Sequence, residues 1–314
     1  TVRLMSWSKD KQRIIVRTES PKNPGKYHLV DWRAAKSEVI GHVAPQLPSH
    51  ELGEMAAVSY RARDGVRISG YLTLPPGRGD KNLPLVVMPH GGPELRDTVG
   101  FDPWAQSIAN AGYLVFQPNF RGSGGYGRAF AAAGHRQWGR RMQDDLTDGV
   151  KALIADGTAD PKRVCIVGAS YGGYAALAGG AFTPELYKCV VSIAGVSNLR
   201  DTVREARYRG RETSDFRYWV SRVGHPDNDR AELEAWSPVK HAAKFQAPVL
   251  LIHGKWDWIV PPDHSRRMDE ALREAGKSST LVIIDYADHS FEGPPIQFQV
   301  LSEVRKFLKQ HLAE

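Results

Sequence analysis

Apolar and polar positions follow two different rhythms along this chain, and the change falls near residue 48. From residue 84 onward, short unbroken apolar runs recur at 84–89, 113–117, 163–167, 188–194, 248–253 and 280–284, each bounded by Gly, Pro or charged residues. Unbroken Val/Ile/Leu runs of this length are the mark of strands buried on both faces of a parallel sheet. Between them lie stretches of helical period near 101–111, 143–155, 171–181, 263–275 and 296–312; the last places Val300, Leu301, Val304, Phe307 and Leu308 on one face. Two earlier runs, Met55 to Arg61 and Val66 to Leu74, follow each other without a helix and predict an antiparallel edge. Eight strands alternating with helices predict an α/β domain over 49–314, a mostly parallel sheet with helices on both faces. Residues 1–48 read differently. Arg13 to Arg17, Tyr27 to Trp32 and Ser37 to Ile40 form three short strand patterns separated by turns at Pro21, Pro24 and Gly25.

The run ending at Val167 stops on Gly168-Ala169-Ser170-Tyr171-Gly172 and then becomes rich in Ala. A G-x-S-x-G between a buried strand and a helix has the form of a nucleophile elbow, which lifts the serine hydroxyl clear of the sheet. Gly168 and Gly172 are expected to supply the backbone freedom for so sharp a turn. The N–H groups that open the following helix then point into the same space. A tight turn with an exposed serine would read the same way, so the partners decide.

In the α/β-hydrolase arrangement an acid and then a histidine follow the serine in the chain, each just beyond a strand end. The strand Ala247 to His253 leads into Gly254-Lys255-Trp256-Asp257, and the strand 280–284 leads into Asp285-Tyr286-Ala287-Asp288-His289. Ser170, Asp257 and His289 are therefore the expected catalytic triad, with Asp285 and Asp288 read as capping or surface acids. A fourth strand, Pro84 to His90, ends in His90-Gly91-Gly92-Pro93. Bare backbone there can approach a substrate oxygen, so the N–H groups of Gly92 and Tyr171 are the expected oxyanion donors. His90 is read as fixing the loop.

Taken together, H-G-G-P at 90–93, R-G-S-G-G-Y-G at 121–127, G-A-S-Y-G-G-Y at 168–174, S-P-V at 237–239 and the Asp257 and His289 loops resemble the prolyl oligopeptidase family of serine peptidases, its acylaminoacyl-peptidase-like branch above all. The resemblance covers roughly residues 50–314. It implies an α/β-hydrolase fold preceded by a β-propeller that restricts access to the site. Residues 1–48 then resemble an incomplete last blade, whereas a propeller needs about four to eight blades of four strands. The chain is thus expected to be the C-terminal part of a longer protein, or a short form without the gate that admits bulkier substrates.

The resemblance also marks a departure. Relatives of that branch read Asp-x-Arg-Val-Pro after the acid, the arginine gripping a peptide carbonyl; in this chain Asp257 is followed by Trp258, Ile259, Val260 and Pro261. Arg217 or Arg211, on the insertion 198–235, could replace that grip. The same insertion carries Tyr208, Phe216, Tyr218 and Trp219, which the resemblance places along the substrate pocket. Phe216, Arg217, Trp258 and Ile259 are the candidate substrate-binding residues. The expected activity is cleavage of peptide or N-acylaminoacyl bonds through an acyl-enzyme, with a carboxylesterase acting on small acyl esters as the alternative and a non-catalytic binding module as a distant third. The expected partner is a short peptide, an N-acylated peptide or an ester. A second copy of the chain and further propeller segments are the other partners to expect.

Composition alters this picture little. The net charge is +7, and residues 1–40 carry nine Lys and Arg against four acids, so the excess sits on the appendage; a solvated face, not nucleic-acid binding, is the expectation. No apolar run approaches the roughly 20 residues of a membrane helix, and the first residues show no n-region and h-region pattern of a secretory leader; a cytoplasmic place is the expectation, with a processed secreted form as the alternative. Cys165 and Cys189 are the two cysteines, read as core thiols of neighbouring strands. The histidines show no zinc-type spacing, so no metal is expected, and no cofactor either. Gly122, Gly124 and Gly127 with Asp144 and Asp145 imitate a dinucleotide fingerprint, but the acids lie on a helical stretch. The glycines are read as letting this loop pack beside the site.

Overall fold

The N-terminal segment forms four antiparallel strands, not three: β1 (Val2–Trp7), β2 (Arg13–Ser20), β3 (Asn23–Asp31) and β4 (Lys36–His42), hydrogen-bonded in that order. The extra strand is β1. A register shift between Leu4 and Ser6 breaks the alternation of its apolar residues, and every residue of it is exposed, so backbone pairing with β2 holds it without any burial pattern. The computed structural model describes residues 1–208 and 214–312.

The second sheet has eight strands, all of them legible in the sequence: β5 (Met55–Arg61), β6 (Arg67–Thr73), β7 (Leu83–Val87), β8 (Leu114–Asn119), β9 (Ala159–Ala169), β10 (Cys189–Ile193), β11 (Val249–Gly254) and β12 (Ser279–Ile284). Their order is β12-β11-β10-β9-β7-β8-β6-β5. Neighbours from β12 through β8 are parallel, and β6 and β5 close one edge antiparallel. The helices are α1 (Pro103–Asn110), α2 (Arg128–Ala132), α3 (Arg141–Ala155), α4 (Tyr171–Phe182), α5 (Leu199–Tyr208), α6 (Ser214–Arg222), α7 (Arg230–Ala235), α8 (Asp263–Glu274) and α9 (Pro294–Leu312). The sheet buries both faces. Val164 and Ile166 face α3, α4 and α8 with Met142, Leu146, Leu177 and Met268, while Cys165 and Val167 face α1 and α9 with Ile108, Val300 and Val304. Both faces of β9 are therefore apolar, which is why it reads as an unbroken run.

Cys165 and Cys189 stand opposite each other on β9 and β10 and are joined by a disulfide, their Cα atoms 4.7 Å apart. The expectation of neighbouring strands holds, but that of free thiols does not: parallel register puts both side chains on the same face at the same level, within bonding reach.

Because the chain leaves β7 for β8 and returns to lay β9 on the other side of β7, the strand order reverses between β7 and β9. The His90-Gly91-Gly92 loop and the Ser170 turn open from these two adjacent strand ends, the crevice where ligands of wound sheets bind. Two buried polar clusters hold the surrounding loops. Arg121, 2% exposed, pairs with Asp145 at 2.7 Å and Asp64 at 2.6 Å, anchoring the glycine loop that follows β8. Asp145 is thus a structural counter-ion. Gly124 donates its N–H to the Leu95 carbonyl, and a Cβ on it would lie 2.6 Å from the Glu94 carbonyl oxygen, so this loop does pack against the one after Gly92.

In the other cluster, Gln117 donates its Nε2–H groups to Asp97 Oδ1 and Asp102 Oδ2, at 3.2 and 3.0 Å, and Asp102 caps α1 through the N–H groups of Trp104 and Ala105. Burial, with Asp102 adding like charge, pushes the Asp97 carboxyl up to about 7 from its ordinary 3.8. A raised carboxyl favours its neutral form in the fold, so its ionisation costs stability progressively as pH rises from 3.8 through about 7. Asp97→Asn should therefore raise the melting temperature at pH 8, and the gain should vanish as the pH is lowered toward 4. Melting curves of both proteins across that range check this.

Candidate active site

Ser170 occupies the turn between β9 and α4 at φ 58°, ψ −119°, a region L-residues seldom occupy and one that stores of order 1–3 kcal/mol of strain. The serine carries the strained dihedrals itself; neither flanking glycine has a positive φ. The expectation that Gly168 and Gly172 lend flexible dihedrals is thus corrected: they lend space. A Cβ on Gly168 would stand 2.1 Å from the Gly172 carbonyl oxygen, and one on Gly172 would stand 2.1 Å from the Pro89 carbonyl oxygen. The turn is pinned by the Ser170 N–H, which donates to the Ile193 carbonyl on β10 at 2.9 Å.

Two loops from the far edge of the sheet reach this turn. The Asp257 loop after β11 and the His289 loop after β12 are laced together by Lys255 N–H to the Ile284 carbonyl and Trp256 N–H to the Ala287 carbonyl, at 3.0 and 2.9 Å. His289 Nδ1 lies 2.7 Å from Asp257 Oδ2, and Nε2 lies 3.0 Å from Ser170 Oγ. A carboxylate only accepts, so the hydrogen sits on Nδ1 and Nε2 is free to accept the serine hydroxyl. Asp257 is buried. Burial would push its carboxyl up, but hydrogen bonds from His253 and His289 outweigh that and hold it well below the usual range. The competing acids are engaged elsewhere: Asp285 with Lys255 at 2.8 Å, and Asp288 with the N–H and hydroxyl of Ser290.

The glycine loop lies against the turn. A Cβ on Gly91 would approach the Ser170 Cβ to 3.6 Å, and Gly92, at φ +116°, takes a conformation that favours glycine. Tyr171 opens α4, so its N–H belongs to the first turn, where no intrahelical acceptor exists. His90 fixes the loop: Nδ1 donates to the Gly91 carbonyl, Nε2 meets Ser123 Oγ, each at 2.8 Å, and the ring stacks on Phe120. Burial holds its pKa down at about 4.

The residues expected along the pocket do not all converge. Arg217 is exposed on α6, Trp258 and Ile259 are 82% and 57% exposed on the rim after Asp257, and Arg211 lies outside the described residues. Phe216 packs against the core beside His225. Trp219 of the expected insertion does reach the serine turn, where it joins a buried aromatic cluster. The Tyr171 ring meets Trp138 edge-on at 4.5 Å, and Trp138 meets Trp219 of α6 at 6.1 Å. Sequence reasoning missed Trp138, which precedes α3 with no motif around it, and His253, which ends an apolar run and reads as its last strand residue. The only hint of His253 was its polarity at the foot of that run, four residues before Asp257. Among the described residues no group of His, Cys, Asp and Glu is arranged to hold a metal ion, and no helix is long and apolar enough to cross a membrane.

Comparison with known proteins gives the chain's family and fold. A dipeptidyl aminopeptidase BIII from Pseudoxanthomonas mexicana is 33% identical over 294 residues, covering 91% of this chain and 42% of that protein. A dipeptidyl peptidase family member 6 from Caenorhabditis elegans is 30% identical, covering 99% and 45%. This chain therefore spans less than half the length of these relatives. Among solved structures, a Mycobacterium tuberculosis puromycin-hydrolyzing peptidase superposes with a TM-score of 0.85 at 29% identity, over 96% of this chain and 46% of that one. The sequence model described as the prolyl oligopeptidase family matches residues 99–314, and the chain belongs to that family.

Proposed function

We propose that this chain is a serine hydrolase that cleaves peptide or N-acylaminoacyl bonds through an acyl-enzyme, with Ser170 as nucleophile, His289 as general base and Asp257 orienting it. The observation that carries the reading is the unbroken relay from Asp257 Oδ2 to His289 at 2.7 Å and from His289 to Ser170 Oγ at 3.0 Å. As Oγ attacks the substrate carbonyl carbon, its proton passes to His289 Nε2, and the imidazolium that forms is held by the ionised Asp257. The N–H groups of Gly92 and Tyr171 take the developing oxyanion, each contributing about 3–4 kcal/mol to lowering the barrier. His289 then returns the proton to the leaving amine, the C–N bond breaks, and water hydrolyses the ester left on Ser170 by the same route in reverse. We read residues 1–48 as a unit of their own, one propeller-like blade, docked on the hydrolase body over 49–314. The contacts that support this are Lys22 with Glu54 and the Gln106 side chain, which binds the Pro21 carbonyl and both backbone groups of Gly53.

The peptide reading draws on the family and on relatives described as peptidases. We place the group preceding the cut beside half-buried Trp219, where it backs onto the buried Trp138 and Tyr171 rings, a setting that favours apolar or aromatic side chains. A second reading, a carboxylesterase, has one specific observation behind it: exposed Ile259 stands where the family resemblance expects a carbonyl-gripping arginine, and it offers no donor side chain.

Ser170→Ala is expected to lower turnover of any substrate by at least about 10⁴-fold and to abolish labelling by a fluorophosphonate; undiminished labelling would identify another nucleophile. The two substrate classes separate in a comparison of N-acetyl-aminoacyl anilides with p-nitrophenyl esters. Ile259→Arg is expected to raise kcat/KM for the anilide by about tenfold, the worth of a charged hydrogen bond, and to leave the ester unchanged. Anilide turnover that is absent in both proteins, beside rapid ester turnover, would favour the esterase.

A further inference from the structure

The carboxylate of Asp257 is held by more than its imidazole partner. Oδ1 accepts the N–H groups of Ile259 and Val260, each at 2.9 Å. Oδ2 receives His289 Nδ1 and also lies 3.3 Å from Nε2 of a second histidine, His253. His253 is 0% exposed in β11, and its neighbours fix where its hydrogen sits. Nε2 stands 2.8 Å from the Val260 carbonyl, which can only accept, so Nε2 carries the hydrogen. Nδ1 then accepts the hydroxyl of Ser265, buried in the first turn of α8, at 2.7 Å. One N–H therefore addresses both ends of the Asp257–Val260 turn, the carboxylate where it begins and the carbonyl where it ends.

We propose that His253 is a positioning residue: its Nε2–H, oriented by Ser265, clamps the acid turn and fixes the rotation of the Asp257 carboxylate so that Oδ2 is presented to His289. This rests on the catalytic reading of Ser170, Asp257 and His289 above. A side-chain carboxylate on a loop is free to swing about its terminal torsion, and every swing misaligns the imidazole that must take the Ser170 proton. Two backbone donors on Oδ1 and one side-chain donor on Oδ2 hold it in place before His289 becomes charged, so no reorganisation accompanies proton transfer. His253 cannot replace His289 as a base, since it is enclosed and both its nitrogens are engaged within the fold. His264, the neighbour of Ser265, turns the other way, toward Ser197 and Glu205.

The test varies the donor at one position. In glutamine the amide nitrogen reaches about as far as Nε2, in asparagine only as far as Nδ1, and leucine offers neither. We expect His253→Asn and His253→Leu to lower kcat by at least about tenfold with KM within about twofold, and His253→Gln to recover most of the loss. The same substitutions made on top of Asp257→Asn should change kcat by no more than about twofold, because the residue acts through that carboxylate. Should the 253 variants fail to fold by urea denaturation, Ser265→Ala decides, with a kcat loss at unchanged KM expected. The proposal is overturned if His253→Asn keeps the wild-type kcat, if glutamine does no better than leucine, if the loss persists undiminished in the Asp257→Asn background, or if Ser265→Ala has no effect on kcat. Turnover that survives Ser170→Ala removes the catalytic reading itself; wild-type kcat in His253→Asn alongside a dead Ser170→Ala removes only the positioning role.

Discussion

The arrangement depends on one steric constraint, the lack of room around Ser170. Strand, turn and helix meet there so closely that Gly168 faces the Gly172 carbonyl and Gly172 faces the Pro89 carbonyl at distances no Cβ could tolerate. The serine absorbs the resulting strain in its own backbone, at φ 58°, and a residue held there persists only because its surroundings over-determine it. Those surroundings are the bond from the Ser170 N–H to Ile193 on β10, the fully buried core of α4, and β7 pressed against the turn. The constraint has a chemical use. It exposes the hydroxyl at the switch point of the sheet and leaves the start of α4 facing the same space as the glycine loop.

The other side chains reach that point by different means. Asp257 and His289 lie on loops of strands β11 and β12, separated from β9 by β10, and neither would hold its place alone. Lacing between the two loops, backbone donors on Asp257, and the buried His253 and Ser265 convert two flexible connections into a rigid shelf. Beneath the glycine loop, the Arg121 pair with Asp145 and Asp64 plays the corresponding part: a charge nearly sealed from water is tolerated because several hydrogen bonds satisfy it. In each case polar groups near the site hold backbone in position, and the proposed chemistry falls to Ser170, His289 and Asp257.

Much of this was legible in the sequence because buried parallel strands write themselves as unbroken apolar runs. Six strands of the main sheet could be placed from that signal, and β5 and β6 from two strand patterns that follow each other without a helix; the order of Ser170, Asp257 and His289 followed from what stands just beyond three of the unbroken runs. What stayed hidden depends on register or on local exceptions to periodicity. β1 escaped because its bulge breaks the alternation and its residues are all exposed. The Cys165–Cys189 bond required knowing that the two residues face each other across adjacent strands. The role of the elbow glycines could be mistaken for flexibility, since sequence shows that a residue is small without showing what crowds it. His253 was concealed by its strand, and Trp138 because it meets Tyr171 and Trp219 only in three dimensions.

Whether Ser170 is the nucleophile can be read by mixing the chain with a p-nitrophenyl ester, quenching in acid within the first turnovers, and mapping the acyl group by peptide mass spectrometry. Up to one acyl group per chain is expected, carried on the peptide that contains Ser170, and none in a protein whose His289 is replaced by alanine. Steady turnover with the acyl group on any other residue would overturn the assignment of Ser170, and with it the proposed relay.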